Sequence, residues 1–279
     1  MKIHNAAIVI PNFNGEKFIM ETIRLLTVGF PKIDIIAVDD ASTDNSVVLL
    51  KSNGIKVLQR AVNGGFAASV NTGLQHLHSN GVDFALVCNS DLVPSAEECA
   101  NICKSFDDLF EDPAVGVIGF IERNDFKPQS RDVSDISGFL FWIKIDIVKV
   151  VGYLDERFYM YGEETDYFRR VVAKGYKIVQ SGIQISHAAE KSGKSKIMNS
   201  WYAIRNCLFL EIKNDRPKEA LKKSAALLLI MFGLRGDKDD PSTKRIRRPG
   251  FVIGPLMLAG AIFWNIYQVL KMSTKQENR

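Results

Sequence analysis

Few features here fit the common small-domain or nucleic-acid-binding classes. The chain has 279 residues and only four cysteines, Cys88, Cys99, Cys103 and Cys207, with neither a CxxC pair nor zinc-ribbon spacing. That excludes a thiolate metal site and a disulfide scaffold, and buried reduced thiols in a cytoplasmic protein are expected. The opening MKIHNAAIVIPNFNG breaks at Pro11 after too short an apolar stretch for a secretory signal, so the N-terminal domain is expected to stay where it is made. Charge of one sign is also lacking: 36 basic and 32 acidic residues leave a net +4, which gives no reason to expect nucleic acid as a partner. There is no internal repeat, no low-complexity tract, and neither a GxGxxG fingerprint nor a P-loop.

What is present is an alternation of short apolar runs with helix-length segments. The runs are Ala6 to Ile10, Ile33 to Val38, Ile55 to Leu58, Phe84 to Cys88 and Val115 to Gly119. Between them, Phe66, Val70, Leu74 and Leu77 recur at helical spacing, and Pro94 to Phe110 opens with a first-turn proline and two acids. The pattern predicts an α/β fold, a Rossmann-like, mostly parallel sheet flanked by helices. Ligands of such sheets bind beyond the carboxyl ends of the strands, where the polar turns of this chain fall. Ile121 to Ile136 reads as an irregular insertion, Ser137 to Val151 resumes apolar, and a helix ending near Lys174 is stopped by Gly175.

Four turns carry candidate chemistry. VDDASTD (Val38 to Asp44) offers carboxylates to a nucleobase N–H or ribose hydroxyl, or serves as a helix cap. NGGFAASVNTG (Asn63 to Gly73) permits close backbone approach to phosphate before a helix N-terminus, or is a glycine turn under a packed helix. VCNSDLVP ends an apolar strand with Asp91, an oxygen ligand suited to a hard divalent cation beside a diphosphate. DERFYMYGEETDYFRR crowds Glu163, Glu164 and Asp166 at a helix start, which stabilises the helix and raises the pKa of an acid that would act as base. His187, in ISHAAEKSGKS, closes a short apolar segment and by itself reads as a structural histidine more readily than as a ligand.

After Trp201 the character changes to an amphipathic helix through Glu211, an apolar Leu221 to Leu234, and a basic cluster of Lys244, Arg245, Arg247 and Arg248. Phe251 to Leu270 then has no charged residue, which at about 1.5 Å per residue matches a hydrocarbon core of about 30 Å. Gly254, Pro255 and Gly260 are tolerated in membrane helices, and Trp264 and Tyr267 suit an interface. The segment is expected to associate with a membrane, either spanning it or lying on it. A buried core helix or a dimer-forming hairpin are the alternatives.

These turns, in this order, resemble glycosyltransferase family 2, enzymes of the GT-A fold. The resemblance rests on IPNFNG, VDDASTD, NGGFAASVNTG, NSD, GYLDERFYMYGEETDYFRR, ISHAAEKSG and the pair Arg205-Asn206, over about residues 5 to 215. The nearest likeness is to the rhamnosyltransferase and galactofuranosyltransferase branch. It implies a catalytic domain over residues 1–215 and a membrane-associated helical segment over 216–279. Pro11, Asn14, Asp39, Asp40, Asn63, Gly64, Gly65, Asn71 and Asn89 would bind the nucleotide sugar. Asp91 and His187 would hold Mg²⁺ or Mn²⁺, and Glu164 would be the catalytic base with Glu163 and Asp166 as neighbours. Asn89 stands where the family's metal motif begins with an acid, and Glu164 is one methylene longer than the usual Asp.

The implied activity is inverting transfer from a UDP- or dTDP-sugar to a hydroxyl of a lipid-linked or nascent cell-surface glycan, at the cytoplasmic face of the membrane, with homo-oligomerisation open. A non-catalytic nucleotide-sugar-binding or assembly protein is the alternative. A sugar nucleotidyltransferase fits less well, because IPNFNGEK lacks the early glycine-rich loop with Arg and Lys.

Overall fold

The computed structural model describes residues 5–122, 132–133, 136–187, 196–231 and 253–277. The basic cluster Lys244 to Arg248, the stretch after His187 and the centre of the polar insertion lie outside the described residues. The chain divides into two compact units, Met1–Tyr159 with Glu163–Ser192, and Met160–Gly162 with Gly193–Arg279. This division falls before residues 196–213, whereas the sequence reading places a boundary at 215.

The first unit is an α/β layer structure. Its strands are β1 (Ala6–Asn12), β2 (Asp34–Asp39), β3 (Lys56–Gln59), β4 (Phe84–Cys88), β5 (Val115–Glu122), β6 (Asp132–Val133), β7 (Leu140–Lys144) and β8 (Lys177–Ile185), in one sheet of order β3-β2-β1-β4-β7-β5-β8-β6. β1 pairs in parallel with β2 and β4, β2 with β3, and β5 with β8. β7 is antiparallel to both β4 and β5, and β6 is antiparallel to β8. All five strands expected from the apolar runs therefore point the same way. The apolar stretch after Ser137 supplies the reversed strand and then α5 (Ile145–Val151). β5 extends through Glu122, so Ile121 and Glu122 belong to the sheet rather than to the insertion.

The central strands read as unbroken apolar runs because helices cover both faces. Side chains alternate along β1: Ile8 and Ile10 join the core beneath α1 (Ile19–Gly29) and α4 (Ala96–Leu109). Ala7 and Val9 join the opposite core, beneath α3 (Gly65–Ser79), α5 and α6 (Glu163–Ala173). The stripe Val70, Leu74, Leu77 buries α3, and Gly73 lets it press on β1, since a Cβ there would sit 2.4 Å from Val9. Gly175 ends α6 as expected, at φ +85 with its N–H donating to the Val172 carbonyl. Ser95 and Glu98 form a reciprocal capping box at the start of α4.

The second unit holds α7 (Lys196–Lys213), α8 (Pro217–Met231) and α9 (Ile253–Glu277). Ile204, Leu208, Leu227, Met257, Leu258 and Ala261 form its small apolar core. The cysteines are free, and Cys88, Cys99 and Cys103 are buried.

Candidate active site

Backbone strain marks the edge of the sheet where the turns gather. Asn14, Ala41 and Tyr159 hold positive φ without being glycine, in the turns after β1 and β2 and before α6. Such residues cost about 1–3 kcal/mol each and persist where the surroundings over-determine them.

Asp39, the last residue of β2, is 1% exposed; its Oδ1 accepts from Asn12 Nδ2 at 3.0 Å and its Oδ2 from the Ser42 N–H at 3.1 Å. Asn12 also donates to Ser46 Oγ, and Gly15 makes room for its amide. Asn14 joins the same lacework: its N–H donates to Ser42 Oγ, and its Oδ1 accepts from the Thr43 N–H at 2.8 Å. Pro11 sits beside Val38 in the β1–β2 register, one step inside this edge.

Asp40 is turned to the glycine turn. Its Oδ1 accepts from Arg60 Nε at 3.0 Å and the Gly64 N–H at 2.9 Å, and its Oδ2 from the Gly65 N–H at 2.7 Å. The pair Asp39-Asp40 thus splits between two loops. Only Gly fits at position 65, where φ is +83 and a Cβ would lie 2.1 Å from the Tyr159 carbonyl oxygen. That carbonyl accepts from the Phe66 N–H at 2.7 Å, and Asn63 Oδ1 accepts from the Tyr159 hydroxyl at 2.7 Å. Asn71, expected at the nucleotide sugar, spends its amide on this loop instead: Nδ2 donates to the Leu154 carbonyl and to Glu156, and Oδ1 accepts from the Leu154 N–H. Its geometry is that of a loop anchor.

Asp91 and His187 meet directly. Leu92 and His187 form a short antiparallel bridge, and His187 Nε2 lies 2.7 Å from Asp91 Oδ1. The other ring nitrogen, Nδ1, is 3.1 Å from Glu122 Oε1 at the end of β5. Burial pulls the His187 pKa down, but hydrogen bonding to and the charges of Asp91 and Glu122 outweigh it and hold the value above that of a free histidine. Two supports fix the pair. Thr22 of α1 donates to the carbonyls of Ser90 and Leu92, and Glu98 Oε1 accepts from the N–H and hydroxyl of Ser186.

The turn before β7 joins this pair to the acidic helix. Asn89 N–H donates to the Phe139 carbonyl at 2.9 Å, and the Phe139 ring stacks on His187 with centroids 5.9 Å apart. At Gly138 a Cβ would come within 3.1 Å of Glu164 Cγ, so the bare glycine seats the Glu164 side chain. Glu163 is buried at the first position of α6, and Glu164 is half-buried beside it. Asp166, expected to share the base role, is 1% exposed and paired with Arg170 at 3.0 Å. Arg170 in turn donates to the carbonyls of Val151 and Tyr153, so this pair clamps the turn after α5. In the second unit, Asn206 Nδ2 donates to the carbonyls of Met160 and Tyr161, the residues just before α6, and Arg205 is buried between the rings of Tyr202 and Trp264.

Asp91 and His187 offer one carboxylate oxygen and one imidazole nitrogen. Among the described residues no group of three or more His, Cys, Asp or Glu gathers to hold a metal. Two protein ligands suit a hard divalent cation that completes its shell with substrate phosphates and water, and Glu122 on Nδ1 would orient the ring. Residues the sequence reading missed are Asn12, Ser42, Arg60, Glu122, Gly138, Phe139 and Tyr159. Asn12 and Tyr159 lie inside the quoted motifs, whereas Glu122 and Gly138 carry no local signal.

A sheet of this order, with acidic and glycine turns at the carboxyl ends of its parallel strands, is of the GT-A type. The chain belongs to glycosyl transferase family 2, whose family model matches residues 7–159. The glycosyltransferase GlyG of Streptococcus pneumoniae is 31% identical over 93 residues, a match covering 31% of this chain and 30% of that protein. Among solved structures, the mannosyltransferase PcManGT of Pyrobaculum calidifontis, in complex with GDP-Man and Mn²⁺, superposes with a TM-score of 0.64 at 15% identity, covering 95% of this chain and 87% of that one. TarS 1–349 of S. aureus in complex with UDP gives a TM-score of 0.57 at 17% identity, covering 84% and 76%. Glucosyl-3-phosphoglycerate synthase of Mycobacterium tuberculosis, with Mg²⁺ and UDP, gives 0.55 at 15%, covering 74% and 79%.

Proposed function

We propose that this enzyme transfers a sugar from a UDP- or dTDP-sugar to a hydroxyl of a lipid-linked or nascent cell-surface glycan, inverting the anomeric carbon. The observation that carries this is the continuity of the site: Asp91 touches His187, His187 stacks on Phe139, and the neighbouring Gly138 seats Glu164. The half that would hold the diphosphate and the half that would hold the base share one turn.

Asp39 uses two of a carboxylate's roughly four acceptor sites, which leaves capacity for the N3–H of a uracil or thymine. Asp40 holds the Gly64 and Gly65 N–H groups and so fixes the glycine turn that would flank the donor. Glu164 accepts the proton of the acceptor hydroxyl as its oxygen bonds to the anomeric carbon, and the bond from that carbon to the diphosphate breaks with the electron pair leaving on the nucleotide. Mg²⁺ or Mn²⁺ held by Asp91 and His187 would supply charge neutralisation for the departing diphosphate. The carboxylate length at position 164 suits an acceptor oxygen set one methylene further out than an aspartate would reach. UDP in TarS and in glucosyl-3-phosphoglycerate synthase, the latter with Mg²⁺, and GDP-Man with Mn²⁺ in PcManGT support a nucleotide-sugar donor and a divalent ion.

The test is nucleotide release and nucleotide binding on wild type and Glu164→Gln. Turnover is expected to fall by about 10²–10⁴-fold, the usual contribution of a general base, while UDP or dTDP still raises the melting temperature in Mn²⁺. Wild-type turnover in the variant moves the base elsewhere, and stabilisation by GDP in preference to UDP and dTDP removes the pyrimidine reading of Asp39.

A further inference from the structure

Helix α9 is amphipathic in the wrong sense for water. Every exposed position from Ile253 to Leu270 is apolar or aromatic, with Leu256 at 68% and Phe263 at 74% exposure. The face turned inward carries Asn265 and Gln268, both buried. Asn265 Nδ2 donates to the carbonyls of Arg205 and Ala261, and Arg205, Asn206 and Glu211 of α7 are buried in the same unit. A helix of a water-soluble bundle puts its polar residues outside. Here Asn265, tied through its Nδ2, and Gln268 lie inside and hydrocarbon lies outside, the arrangement suited to surroundings that cannot hydrogen-bond.

The exposed face continues into a groove of about 350 Å³ between α7, α8 and α9, whose walls include Leu208, Ile212, Leu221, Ile266 and Leu270. The groove also reaches Pro217, and more bases than acids flank its lining in sequence: Lys218 and Lys222 follow Pro217 along α8, Lys222 donating to Glu219 at 2.7 Å, and Lys271 follows Leu270. The apolar window of α9, Ile253–Lys271, is 19 residues and about 28 Å long, close to the thickness of a hydrocarbon core. Trp264 is not one of its outward anchors, because it packs on Phe209 and Arg205; Tyr267 is.

We infer that the second unit inserts into a bilayer with anionic headgroups, that the outer face of α9 and the groove it shares with α8 take lipid acyl chains, and that Lys218, Lys222 and Lys271 face lipid phosphates. Charge complementarity selects this occupant: an apolar groove bordered by bases fits a phosphate-headed lipid. This assignment goes beyond the transfer reaction and does not rest on it. It sets the enzyme at the cytoplasmic face of the membrane, where anionic lipids concentrate.

The experiment is co-sedimentation of the full chain, freed of detergent, with vesicles of phosphatidylcholine alone or with phosphatidylglycerol. Wild type is expected to pellet with the anionic vesicles. Phe263→Glu with Ile266→Glu should weaken that binding at least tenfold. Lys218→Gln with Lys222→Gln should weaken it about fivefold per charge on anionic vesicles only, from about 1 kcal/mol per base. Retained melting-temperature shifts with UDP or dTDP in Mn²⁺ show that the variants are folded. The inference is overturned if wild type stays in the supernatant with both vesicles. It is equally overturned if the glutamate variants pellet like wild type, or if light scattering finds a dimer that they split while vesicle binding is unchanged.

Discussion

Gly138 matters for what it lacks. Its missing side chain is the seat of Glu164, and a Cβ would approach Cβ and Cγ of that residue at 3.2 and 3.1 Å. Glu164 is half-buried and a few tenths of an ångström of movement relieves the contact, so Gly138→Ala is expected to leave the fold intact and displace Glu164, the proposed base. Turnover should fall by about 10–100-fold with little change in nucleotide binding, the signature of misplacement rather than of lost affinity; steady-state kinetics beside a UDP or dTDP thermal-shift assay checks it. His187 makes a second prediction at this scale. Its pKa is raised by Asp91 and Glu122 against the pull of burial, so its charged form stabilises the metal-free fold fully below the unfolded value of about 6.5. That contribution is lost as pH rises through the folded value. A metal ion needs the unprotonated Nε2, so Mn²⁺ affinity should rise over the same window. Melting curves from pH 5.5 to 8.5 should fall without Mn²⁺ and gain more from Mn²⁺ at high pH, and His187→Gln should flatten both trends. Parallel curves for the two proteins would remove His187 from the metal.

At the scale of elements, α4 shows how a cap serves a site. Ser95 Oγ accepts from the Glu98 N–H, and Glu98 Oε2 accepts from the Ser95 N–H. The second oxygen of Glu98 holds Ser186, next to His187. Ser95→Ala removes only the cap, so denaturant unfolding should show a loss of about 1 kcal/mol with Mn²⁺ affinity unchanged. Glu98→Ala removes the tie to Ser186 as well, and Mn²⁺ titration should show weaker binding. The same scale explains what could be read from sequence. β1, β2, β3, β4 and α3 announce themselves because apolar periodicity is local, and the capping residues of α4 and the Gly175 stop are local too. The reversal of β7 is not, because an apolar strand looks alike in either direction and only its neighbours β4 and β5 fix the sense. Nor is the partition of acids: Asp39, Asp40, Glu163, Glu164 and Asp166 are adjacent letters. Arg170, one helical turn on, and Arg60 and Gly138, far off in the chain, decide which of them are clamps and which stays near the turn that packs on His187.

For the whole molecule, two kinds of interior coexist. The α/β unit hides hydrocarbon on both sides of its sheet, while the helical unit hides Arg205, Glu211, Asn265 and Gln268 and shows hydrocarbon outside. Composition averages the two into an ordinary soluble profile, and only placement separates them. The bridge between Leu92 and His187 has one more consequence, and it concerns order in time. Asp91 and His187 stand 96 residues apart, and each reaches the other only once β8 has closed on β5. During synthesis the nucleotide edge at β1 and β2 can assemble early, whereas the metal pair waits for nearly the whole sheet. An ion bound there would stabilise the completed fold and not its partial forms, so under the proposed function the cation would be a check on assembly as well as a participant in transfer.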